Sequence, residues 1–136
     1  MFENRYEILL LSNQATNESI KITKEIVKLV EEHYQISIDE SNGASLVTHL
    51  AITFKKIKGQ EKLIEMPEVC MQEAKTYPAE MEFAEKMAKY LQIHHDIEFN
   101  KSETAFLTIH LKNISQYITQ KEESQSKSNS HKEEGS

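Results

Sequence analysis

Leu46-Val47-Thr48-His49-Leu50-Ala51-Ile52-Thr53-Phe54-Lys55-Lys56-Ile57-Lys58-Gly59 is the stretch whose spacing decides the fold. At about 100° per residue, Leu46, Leu50, Phe54 and Ile57 line one stripe of a helix. The lysines gather at its C-terminal end, where the helix dipole favours cations, and Gly59 follows as a residue suited to a left-handed stop. His49 falls at the edge of the stripe beside Thr53 and Lys56, where its ring reaches solvent or a partner. Apolar residues recur every three to four positions along most of the chain, and only three glycines and two prolines interrupt it. The expected class is therefore all-α.

Working outward, residues 8–11 are a short apolar run that fits a helix or an arm, and residues 13–17 are a polar break with good cap residues. Residues 18–34 place Ile20, Val27, Val30 and Tyr34 on one side of a first long helix. Ser37-Ile38-Asp39-Glu40 has the Ser-x-x-Glu form of a capping box, with Gly43 close behind, so a turn and the start of the 58-ending helix overlap there. Pro67 and Pro78 suit first-turn positions, which predicts helices over 67–76 and 78–92, the latter with Phe83, Met87, Tyr90 and Leu91 as its apolar face. Asn100-Lys101-Ser102-Glu103 is a second capping-box-like start for a last helix running to about residue 118. The organisation expected is an arm or short helix over 1–16, a compact five-helix, dimer-forming bundle over 17–120, and a disordered tail over 121–136 that has nothing apolar to bury, with His131 as a bystander.

A chain of 136 residues with 38% hydrophobic content supports one core. A net charge of −6 and a pI near 5.5 weigh against direct nucleic-acid binding, which draws on basic residues. Lys55-Lys56-Ile57-Lys58 reads as a solvated helix end rather than a basic patch. Cys70 is the single cysteine, which excludes an intrachain disulfide and CxxC-type sites. The N-terminus carries acidic residues where a signal peptide needs a basic start, and no apolar run approaches membrane-spanning length, so a cytoplasmic protein without membrane contact is expected. No phosphate-cradling glycine loop, nucleophile elbow or distinctive carboxylate pair is present. The expectation is a protein that is not an enzyme and needs no cofactor.

Chemistry concentrates in two histidines. His110, in Phe106-Leu107-Thr108-Ile109-His110-Leu111, projects into the middle of its stripe between Phe106 and Leu107 on one side and Ile114 on the other, with Glu103 about two turns back. It is the more buried of the two and needs a partner for its N–H, for which Glu103 or His49 is available. A histidine on an apolar helical face is more often a hydrogen-bonded structural residue than a site. Against that stands the capacity of imidazole to carry a phosphoryl group near neutral pH. His94-His95-Asp96 lacks the spacing of a metal site, and His33 suits a helix C-terminus. A metal held by His49, His110 and Glu103 is disfavoured by the low ligand count, so no metal is expected.

Two segments together resemble a known family. Leu46-Val47-Thr48-His49-Leu50, with a basic residue at Lys56, is similar to the first histidine motif of the phosphotransferase-system regulation domain (PRD). Tyr77-Pro78-Ala79-Glu80-Met81-Glu82-Phe83-Ala84 and Glu103-Thr104-Ala105-Phe106-Leu107-Thr108-Ile109-His110-Leu111 are similar to its Tyr-Pro-x-Glu stretch and its closing Glu-x-(Ala/Gly)-(Phe/Tyr)-x-x-x-His motif. The likeness spans roughly residues 17–118. It implies a dimerising helical bundle related to the regulatory domains of BglG/LicT-type antiterminators, with His49 and His110 phosphorylated by HPr or an enzyme II component of the bacterial sugar phosphotransferase system. Lys56 and Glu103 are possible supporting residues. The family commonly has arginine at Lys56 and Asn-Pro-Leu at Met66-Pro67-Glu68. PRDs usually sit in tandem behind an RNA-binding or DNA-binding module, whereas this chain looks like a stand-alone PRD, expected to act on transcription or antitermination through a partner: a second copy or another PRD regulator. The alternative is a structural dimerisation and protein-interaction module that accepts no phosphate.

Overall fold

Local capping chemistry sets most of the helix starts. Thr16 stands in extended backbone and its hydroxyl accepts the Ser19 N–H at 3.0 Å, while the Ser19 hydroxyl accepts the Thr16 N–H at 2.9 Å. This reciprocal pair satisfies donors that a bare helix end would leave orphaned. The computed structural model describes residues 1–117 in full and, beyond them, the backbone of the last helix to Glu134. Among the described residues there are six α-helices and no strand: α1 (Glu3–Leu11), α2 (Asn17–Tyr34), α3 (Glu40–Lys58), α4 (Glu68–Ala74), α5 (Pro78–His95) and α6 (Lys101–Glu134). The all-α class is observed, but the five-helix count is not. α6 continues past the expected helix end near 118 to Glu134, and the rest of the expectation for 121–136, with His131, lies outside the residues described in full.

The additional helix is α1, and it belongs to the core. Phe2, Tyr6 and Leu9, about a turn apart, are buried, while Ile8 and Leu11 from the visible apolar run face outward. The Arg5 guanidinium clamps α1 to α3, donating to both oxygens of Glu40 (Nε at 3.1 Å, Nη2 at 2.7 Å) and to the Thr48 hydroxyl at 3.0 Å. The stripe that predicted α3 is buried as expected at Leu46, Leu50 and Phe54, which meet Ile22, Ile26 and Val30 of α2 and Leu91, Leu107 and Leu111 of α5 and α6. Each such side chain contributes on the order of 1.5–3 kcal/mol on burial.

Several boundaries differ from the expectation for physical reasons. The box at the start of α3 is built by Asp39 and Asn42, not by Ser37 and Glu40. Asp39 Oδ1 accepts the Ser41 N–H at 2.9 Å and Asn42 Oδ1 accepts the Asp39 N–H at 2.8 Å. Glu40 is thereby left to Arg5. Gly43 is inside α3, where a Cβ would lie 2.1 Å from Cγ2 of the buried Ile38. At the other end Gly59 has φ −85°, and the left-handed residue is Gln60 at φ 57°. Pro67 is the N-cap of α4, which ends at Ala74, and α5 continues past Gln92 to His95 before Asp96 turns left-handed at φ 52°.

α4 packs on α6 over a small separate cluster of Met66, Ala74 and Ala105, edged by Cys70, Met71, Met81, Phe106 and Ile109. The α3 and α5 C-termini are tied where Lys58 donates to the His95 carbonyl at 2.6 Å and pairs with Glu18 at 3.5 Å, while His95 bonds Glu25 at 2.5 Å. Lys55 pairs with Glu61 at 3.1 Å, so two lysines of the basic cluster are engaged at the helix end. No helix among the described residues is long and apolar enough to cross a membrane.

Candidate functional site

α6 starts from Asn100, whose side-chain oxygen accepts the Glu103 N–H at 2.9 Å and whose carbonyl accepts the Thr104 N–H at 2.9 Å. The reciprocal half of a capping box would send the Glu103 side chain back toward Asn100. It goes instead across to α3, where Glu103 Oε1 lies 3.0 Å from His49 Nε2. Glu103 is only 2% exposed. A buried carboxylate costs several kcal/mol unless paired, and His49 is the partner that this helix crossing supplies.

The crossing also brings the two histidines together, with ring centroids 5.5 Å apart and planes at 41°. Phe106, about one turn after Glu103, lies against the His49 ring at 4.7 Å. The His49 side chain is 26% exposed, at the edge position that the helical projection assigned to it. Burial foremost, and then the neighbouring His49, push the pKa of His110 down to about 4, with Glu103 opposing. At neutral pH it is an uncharged imidazole with a free lone pair. Among the described residues neither expected partner is hydrogen-bonded to it, and Glu103 Oε1 meets His49 instead. The ring lines a recess of about 190 Å³ with Glu40, Ser41, Asn42, Ser45, Leu46 and Asn113.

Of the residues singled out from the sequence, the structure assembles His49, His110 and Glu103 and leaves Lys56 aside. Lys56 follows His49 by about two turns of α3, and among the described residues it makes no ion pair or hydrogen bond with either histidine. Phe106 was visible only as a stripe residue, and its contact with His49 depends on how α3 and α6 cross. Arg5, bonded to Thr48 beside His49, carried no local signal, and Asn113, which lines the recess with His110, is marked in the sequence only by its spacing of three from that histidine. No group of three or more His, Cys, Asp or Glu side chains among the described residues is arranged to hold a metal ion. Elsewhere His33 stacks on Phe83 at 3.9 Å and His94 packs on Tyr90 at 4.5 Å.

Comparison with known proteins gives two matches. The family model described as PRD domain matches residues 24–114, from within α2 to within α6, and includes every residue of the His49–Glu103–His110 group. The PtsGHI operon antiterminator of Bacillus subtilis (strain 168) is 24% identical over 105 residues, covering 76% of this chain and 37% of that protein. The chain thus spans little more than a third of that relative's length. No solved structure gives a significant match.

Proposed function

The chain belongs to the PRD domain family of phosphotransferase-system regulatory domains, and from that premise we propose that it is a switch operated by phosphoryl transfer to His49 and His110. The donors are HPr or an enzyme II component, and the output passes to transcription or antitermination through a partner. That partner is a second copy of the chain or another PRD-containing regulator. In this reading the protein is a cytoplasmic recipient of phosphate rather than an enzyme.

The observation that carries the proposal is the packing of two imidazoles at 5.5 Å across the α3–α6 crossing, one on a buried carboxylate and the other beside an open recess. A phosphoryl group adds about −2 charge and strong acceptor oxygens. Introduced at this crossing, it adds charge and acceptor oxygens to the packing of α3 against α6 and biases it toward another arrangement. Two packings a few kcal/mol apart are enough for such a switch.

Intact-protein mass spectrometry at alkaline pH, after incubation with phosphoenolpyruvate, enzyme I and HPr, with and without enzyme II components, tests this. The expected result is one or two acid-labile phosphoryl additions that disappear in the His49→Ala, His110→Ala double variant. Absence of any addition with every donor would leave a structural helical interaction module.

A further inference from the structure

We propose that the buried carboxylate of Glu103 selects the phosphoryl-accepting atom of His49, directing transfer to Nδ1 and away from Nε2. The inference rests on His49 being a phosphoacceptor, as proposed above, and adds which nitrogen reacts and what decides it.

A neutral imidazole has one N–H and one lone pair on opposite nitrogens. His49 Nε2 lies 3.0 Å from Glu103 Oε1, and an ionised carboxylate can only accept, so Nε2 carries the proton and the lone pair is on Nδ1. Turning the ring over would place a carbon at the carboxylate and leave a 2%-exposed charge without its donor. Phe106 against the ring at 4.7 Å adds packing to that orientation. His110 is kept uncharged chiefly by burial, and the hydrogen bond of Glu103 goes to His49. Phosphorylation at Nε2 would break the pair and set phosphate oxygens beside a buried carboxylate. Phosphorylation at Nδ1 preserves it.

The step balances without a co-reactant. The donor is the N-phosphorylated imidazolium of a carrier protein. The His49 Nδ1 lone pair forms the new P–N bond, and the donor's P–N bond breaks with its electron pair returning to the donor nitrogen. The donor leaves as a neutral imidazole. The His49 proton stays on Nε2, and the resulting cationic ring is paired with Glu103. Glu103 touches no reacting atom and is a positioning residue.

The test uses the full chain labelled with ¹⁵N-histidine. Long-range ¹H–¹⁵N spectra of the unmodified protein are expected to show His49 as the Nε2–H tautomer. After phosphorylation by phosphoenolpyruvate, enzyme I and HPr, ³¹P–¹⁵N couplings are expected to place phosphorus on Nδ1 of His49. Glu103→Gln keeps the side-chain volume and removes the charge. With its helical circular dichroism unchanged, it is expected to slow labelling of His49 by about tenfold or more and to yield both phosphoisomers. Phosphorus on Nε2, an Nδ1–H tautomer, or a Glu103→Gln protein with unchanged rate and isomer would each overturn the inference while leaving His49 an acceptor. Phosphoryl on His110 alone would overturn this inference, and none on either histidine from any phosphotransferase donor would overturn the functional reading with it.

Discussion

His110 makes the stability of the fold depend on pH. Its folded pKa of about 4 lies below the ordinary value of 6.5, chiefly through burial. Between those values the unfolded chain binds a proton that the native one refuses, so stability is highest above pH 6.5 and falls as the pH drops toward 4. The shift sets a ceiling of about 3 kcal/mol, and because the ring lines a recess open to water the observed loss should be smaller. Urea unfolding at pH 7.5 and pH 5 is expected to show this loss, with a shallower pH slope in His110→Gln. Glu103→Ala, which leaves the His49 N–H without its acceptor, is expected to lower stability by about 1–3 kcal/mol in the same assay at pH 7.5. Both histidines were legible from helical projection, and His49 keeps the partly exposed edge position it assigned. The His49–Glu103 bond was not, because local reasoning spends Glu103 on the cap of its own helix or offers it to His110 on that same helix. Its actual partner is 54 residues away in the chain.

Helices announce themselves through periodicity, and their ends announce themselves less well. The stripes of α2, α3, α5 and α6 were readable because each buries one face against the others. α1 was not, since its buried face at Phe2, Tyr6 and Leu9 is interleaved with the outward-facing run that drew the eye. At the start of α3, Ser37 and Asp39 both have cap chemistry, and the choice fell to Asp39 because its backbone is extended and its carboxylate reaches Ser41 and Asn42. Asp39→Ala is therefore expected to cost about 1 kcal/mol, and Ser37→Ala less than about 0.5 kcal/mol, in thermal or denaturant unfolding. Gly43→Ala sets two effects against each other. Alanine gains up to about 1 kcal/mol of helix propensity, but its methyl meets buried Ile38 at 2.1 Å, and overpacking typically costs about 1–3 kcal/mol. A net loss of stability is expected.

On the scale of the molecule, the histidine pair lies where the main core, α4's small cluster and the recess beside α3 approach one another. If phosphate shifts the α3–α6 crossing, self-association should respond. Sedimentation velocity of the unmodified and phosphorylated protein is expected to give different monomer–dimer distributions, and indistinguishable ones would argue against a dimer-based output. The fold class and the approximate site could be read from one chain because helices and family motifs are local, whereas the α1 clamp and the crossing geometry are properties of the assembled fold. The patch under α4 has a practical consequence of another kind. Cys70, the single cysteine of the chain, is half-buried there, packed against the same small cluster as Phe106, which also touches His49. The native thiol is thus a built-in reporter: its rate of reaction with a disulfide reagent reads how well α4 and α6 cover that patch, without any label being engineered in.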